Sequence, residues 1–125
     1  MEVPILKQGG YLIATVQAAL TDADLLQLRR ALIERVVQMR SYGVILDLTA
    51  LDVMDSFASR TMGEIAHMIR LRGAETIIVG IQPDVAFTMV QLGLTLEGVA
   101  AALDLEEGLK YLNQKFKTAG SLKSY

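Results

Sequence analysis

The sequence has no cysteine and no tryptophan, only two prolines and a single histidine. Without thiols, a disulfide framework, a thiolate metal site and a cysteine nucleophile are excluded. The lone histidine, His67, has Arg60, Glu64 and Arg70 as neighbours on a predicted helix, a polar face suited to surface or partner contact rather than catalysis. Long hydrophobic runs are missing as well. The longest charge-free stretches, residues 8–21 and 85–96, are shorter than the ~20 residues of a membrane span and are broken by Gly, Gln or Thr. The start, Met-Glu-Val-Pro-Ile-Leu-Lys, lacks the basic region and apolar core of a signal peptide, so the expected location is the cytoplasm. Basic excess is absent too: the formal charge is −2, and the three lysines after residue 114 leave −5 for residues 1–114. That balance gives no nucleic-acid footprint. Gly-x-Gly-x-x-Gly, the P-loop and Gly-x-Ser-x-Gly do not occur, which removes the commonest nucleotide and hydrolase signatures.

What is present fits one domain. A chain of 125 residues can bury a core without disulfides or metals. Residues 3–7 and 11–16 read as strands separated by Gln8-Gly9-Gly10, an antiparallel hairpin with Pro4 on the sheet edge. Thr21-Asp22-Ala23-Asp24 then caps a helix whose buried stripe is Leu25, Leu28, Leu32, Val36 and Met39, ending by Gly43. Strands from Val44, from Thr76 and, most weakly marked, over residues 98–103 alternate with helices opening at Ser56, at Pro83 and after Asp104. The last helix buries Leu105, Leu109 and Leu112, and residues 115–125 read as a basic, flexible tail. A hairpin followed by alternating strands and helices predicts an α/β fold with a mainly parallel five-stranded sheet and about four helices. The hydrophobic fraction, 52%, leaves apolar surface for self-association or partners.

The most informative stretch is Asp47-Leu-Thr-Ala-Leu-Asp-Val-Met-Asp55-Ser56-Phe57-Ala-Ser59, which leaves a buried strand, crosses an acidic loop and enters a helix. The helix carries Phe57, Met62, Ile65, Met68 and Ile69 at helical spacing. This register places Ser56 at or near the N-cap, where its hydroxyl would accept a first-turn N–H and contribute about 1 kcal/mol over alanine. Ser59 would then be N3, pointing partly outward. A phosphate on Ser56 would lie against the positive end of the helix dipole. Asp47, Asp52 and Asp55 at a strand exit also suit a Mg²⁺-dependent phospho-aspartate receiver. The acidic pair and the lysine such a site needs are replaced by Val16-Gln17-Ala18 and Gly80-Ile81-Gln82.

Gly43-Val-Ile-Leu-Asp-Leu-Thr-Ala-Leu-Asp-Val-Met-Asp-Ser56 resembles the signature of the STAS domain, the fold of the bacterial anti-sigma-factor antagonists. Gly80-Ile-Gln-Pro83, Leu92-Gly93-Leu94 and residues 101–109 also resemble RsbS-type stressosome scaffold members in order and spacing, covering most of residues 3–112. The resemblance implies a STAS fold over residues 1–114, helices mostly on one sheet face, no cofactor, and no enzymatic activity of its own. It further implies phosphorylation of Ser56 by an RsbT-type serine kinase related to the GHKL anti-sigma kinases, and a large complex with an RsbR-type co-antagonist. Ordinary antagonists carry Asp-Ser-Ser-Gly and use the second serine; Phe57 and Ala58 stand there instead, as in RsbS-type members, leaving Ser59 and Thr49 as weaker acceptors. A passive ligand-binding role, as in the STAS domains of anion transporters, is the remaining alternative. Loops 17–22, 49–56 and 82–84 should share one end of the sheet. The expected docking residues are Asp52, Met54, Asp55, Ser56, Phe57, Ser59, Arg60, Gln82 and Pro83, with Met62 beside Met54.

Overall fold

The computed structural model describes residues 3–17, 20–94, 96 and 98–123, with side chains described as far as residue 116. Nine elements follow in chain order: β1 (Ile5–Gln8), β2 (Tyr11–Thr15), α1 (Asp22–Met39), β3 (Gly43–Asp47), α2 (Ser56–Leu71), β4 (Glu75–Val79), α3 (Pro83–Gln91), β5 (Ala100–Ala102) and α4 (Leu105–Lys123). They form one sheet in the order β1-β2-β3-β4-β5. The β1–β2 hairpin is antiparallel, with Gln8 opposite Tyr11, and every other pairing is parallel. The parallel registers align Tyr11, Gly43 and Glu75, so β2, β3 and β4 leave the sheet at the same end.

The central strands β2, β3 and β4 are apolar on both sides because both sides are covered. Leu12, Ala14, Val44, Leu46 and Ile78 pack with α1, α2 and α3. Their alternating neighbours Tyr11, Ile13, Ile45, Ile77 and Val79 pack instead with Leu112 of α4, flanked by Leu105, Leu109 and Phe116. Three helices thus lie on one face and one on the other, matching the expectation that most share a face. Gly108 allows the lone helix to sit close, since a Cβ there would lie 2.7 Å from Val79 Cγ1. Tyr11 Oη donates to Asn113 Oδ1 at 2.8 Å across the same contact, and burial pushes the Tyr11 pKa up.

The cap of α1 is the one read from sequence: Asp24 N–H donates to Thr21 Oγ1 and Thr21 N–H to Asp24 Oδ2, each at 3.1 Å. Leu25, Leu28, Leu32 and Val36 are buried, but Met39 is exposed in the final turn, where Arg40 turns left-handed and ends the helix. Met68 is likewise exposed, about 100° around α2 from the buried Ile69. The last strand is shorter than residues 98–103. Ala18, Ala19, Thr95 and Glu97 lie outside the described residues, so the loop expected at 17–22 is seen only at its ends.

The boundary at residue 114 does not hold as a structural break, because α4 continues to Lys123. Lys115 Nζ donates to Glu75 Oε2 at 2.8 Å, which raises the lysine pKa. Phe116 packs on Tyr42 and Tyr11, with ring centroids 5.5 and 6.5 Å apart. The lysine-rich composition masked a helix whose apolar positions continue one further turn. Phe116→Ala should therefore lower stability by about 1–2 kcal/mol, less than the ~3–5 of a fully buried phenylalanine. Urea unfolding would check this; an unchanged midpoint would restore the reading of residue 116 as part of a tail.

Candidate functional site

β3 ends in the middle of the sheet, and its exit is fixed before any polar chemistry enters. Leu48 N–H donates to Val79 O at 2.9 Å, and Leu51 N–H to Leu48 O at 3.0 Å. Leu48, Leu51 and Met54 are all buried, three residues apart, and peg the loop to the core. What remains outward is Asp52, Val53, Asp55 and Ser56. Val53 is 64% exposed, a large apolar side chain beside the serine that sequence reading did not single out. The burial of Met54, and of Met62 within α2, corrects their placement on a partner patch: both fill the core beneath it.

The capping residue is Asp55. Its backbone is extended, and its Oδ1 accepts from Ala58 N–H at 2.7 Å. Ser56 is therefore N1, not the N-cap, and its side chain makes no hydrogen bond among the described residues. Aspartate and serine are nearly equal as caps, so the choice between neighbours depended on where Met54 anchors the chain. The one-residue shift makes Ser59 N4 rather than N3. Its side chain is only 4% exposed, not outward as expected. Phe57 is half-buried against the core, and Arg60 is exposed one turn on.

Thr49 is also committed. Its Oγ1 donates to Asp47 Oδ1 at 2.6 Å and its N–H to the same oxygen at 3.0 Å, an Asx-type turn closing the strand. The three aspartates of a receiver thus have separate tasks: Asp47 closes a turn, Asp55 caps a helix and Asp52 faces solvent. No group of three or more acidic or histidine side chains able to hold a metal occurs among the described residues.

Two neighbouring loops complete the rim. Gln82 Nε2 donates to Thr49 O at 2.8 Å, joining the β4 exit to the β3 exit, while Pro83 opens α3 at its solvent side. Gly80 permits this approach: its φ is +75°, and a Cβ would stand 2.1 Å from Thr49 Oγ1 and 3.1 Å from Thr49 Cα. On the other flank a cleft of about 90 Å³ is lined by Val16, Leu20, Leu25, Leu51, Val53, Asp55, Ala58 and Met62. The ends of the three strand exits do share one surface, with Ser56 on it. His67 is exposed farther along α2, and no described helix is long and apolar enough to cross a membrane.

Asp55→Ala should cost about 0.5–2 kcal/mol through loss of the cap, whereas Ser56→Ala should stay within ~0.5 kcal/mol. Paired urea titrations would compare them, and a larger loss for the serine variant would return the cap to Ser56. Gly80→Ala should destabilise by at least about 1 kcal/mol from the left-handed backbone alone. Thermal unfolding would reveal it; an unshifted Tm would show that the rim can open around Thr49.

The STAS domain family model matches residues 2–106. RsbS of Moorella thermoacetica superposes with a TM-score of 0.81 at 33% identity, over 92% of this chain and 97% of that one. A stressosome structure gives a TM-score of 0.74 at 32% identity over 89% and 96%. Among curated proteins, the RsbT co-antagonist protein RsbRA of Bacillus subtilis is 33% identical over 79 residues, 63% of this chain. The matched part is only 29% of RsbRA, so the chain spans less than a third of that relative's length. SpoIIAA, an anti-sigma factor antagonist, shares the fold with a TM-score of 0.67 at 16% identity. With its hairpin, parallel sheet and 3+1 helix arrangement, the chain belongs to the STAS-domain family and is similar over almost its whole length to an RsbS stressosome protein.

Proposed function

We propose that this protein is a non-enzymatic scaffold and antagonist of a stressosome-type assembly, which holds an RsbT-type serine kinase and releases it when Ser56 is phosphorylated. The observation that carries this reading is the contrast among three hydroxyls in one stretch. Ser56 is exposed with its hydroxyl unengaged, Thr49 is bonded to Asp47, and Ser59 is buried. A kinase reaching this rim meets one available acceptor. The chain is then the substrate of the kinase and not the enzyme.

The release follows from charge. A phosphoserine adds about −1.5 to −2 charges at neutral pH, next to Asp55 and on the same rim as Asp52. The Asp55 carboxylate already takes the Ala58 N–H, so the phosphate finds part of the helix-end donor set occupied. A partner packed over Val53 and Ser56 would face repulsion and would have to desolvate a dianion. The pegged loop needs no refolding for this to act. The relatives named RsbT co-antagonists and the stressosome structure support an RsbR-type partner and a large assembly, in which the chain would work as a soluble cytoplasmic component.

Incubating the purified chain with an RsbT-type kinase and ATP, followed by mass-spectrometric site mapping, tests the reading. Phosphate is expected on Ser56, and Ser56→Ala should lose most of the label while still retaining the kinase in a pull-down. Full labelling of Ser56→Ala would refute the assignment.

A further inference from the structure

The sheet has two open edges, and they are protected differently. β1 carries Pro4 beside it and Lys7 and Gln8 within it, devices that discourage strand pairing. β5 is Ala-Ala-Ala with nothing of that kind. Behind it, between α3 and the segment that leads into β5, lies an apolar recess of about 230 Å³, lined by Ile78, Met89, Val90, Leu96, Val99 and Ala101 among others. The outer side of α3 next to this recess is apolar as well: Val90 is 80% exposed and Phe87 64%. Three residues apart on a helix, these two side chains lie about 60° from one another. Val90 therefore stands between a protruding aromatic ring and an open apolar hole.

A knob beside a hole on one face is the arrangement that complements itself under a two-fold rotation. Charge points to the same occupant. Residues 85–103 contain a single charged residue, Glu97, in a body with net charge −5 over residues 1–114. Two copies of an acidic domain repel least where charge is sparse. We propose that this face is the self-association surface of the chain, where a second copy docks so that Phe87 of each protomer enters the recess of the other and Val90 lies near the axis. This deepens the assembly part of the proposed function and rests on that reading for its setting; the Ser56 switch does not depend on it.

The absence of cysteine makes the test direct. In sedimentation equilibrium the full chain should dimerise, and Phe87→Asp and Val90→Asp should each weaken the dimer at least tenfold while thermal melts confirm that both remain folded. Val90→Cys should give a disulfide-linked dimer under mild oxidation, and Leu71→Cys, exposed on α2, should not. A monomeric wild type, dimers unaffected by both aspartates, or cross-linking through Leu71 instead of Val90 would overturn the inference. So would a Phe87→Asp protein that keeps its dimer but loses kinase binding, since the face would then belong to the kinase. Phosphosite mapping of the same samples separates the readings: dissociation by Phe87→Asp with no label on wild-type Ser56 would sink the kinase proposal alone.

Discussion

Leu48, Leu51 and Met54 hold the functional end of this domain in shape. Each is almost fully buried, and the three-residue intervals let a loop with no regular structure reach the core at every turn. Burying such side chains contributes about 1.5–3 kcal/mol apiece relative to exposure, comparable in total with the cost of ordering the residues between them, about 1–2 kcal/mol each. The outward set, Asp52, Val53, Asp55 and Ser56, is therefore a consequence of what points inward. The cap at Asp55, the freedom of the Ser56 hydroxyl and the burial of Ser59 all follow from where Met54 is seated.

Much of the architecture was legible because it rests on periodicity. The α1 stripe, the hairpin glycines, the β3 run and the caps at Thr21 and Asp104 each carry a local signal that tertiary packing did not override. The failures share a different origin. Whether Asp55 or Ser56 caps α2 is a one-residue question between two good capping types, and only the depth of Met54 decides it. Met54 and Met62 were expected on a partner patch because they flank Ser56 in the sequence, although methionine is more often core filler. The end of α4 was misjudged by composition: three lysines outweighed one phenylalanine in the sequence, while in the fold the phenylalanine meets two tyrosine rings and one of the lysines meets Glu75.

The candidate site also shows why a cluster of like residues is poor evidence for shared chemistry. Three aspartates within nine residues invite a metal, yet two are occupied by neighbouring backbone N–H groups, and the third faces solvent. Short acidic side chains are favoured at strand exits and helix starts for local hydrogen bonding alone. Gly80 carries a complementary lesson. It touches no substrate, yet the two strand exits could not approach as they do with any side chain there.

The uneven covering of the sheet divides the molecule into layers of unequal cohesion. The side shared by three helices contains a large buried cluster, whereas among the described residues α4 sets Leu112 against five buried strand residues, with a partly exposed fringe. Local opening favours thinly buried layers, so α4, which covers its face of the sheet alone, is a layer that can lift away while β2, β3 and β4 stay paired. Amide protons would then report two tiers, a faster one along α4 and a slower one in the central strands. The Ser56 rim, anchored from the heavier side, belongs with the tier that persists.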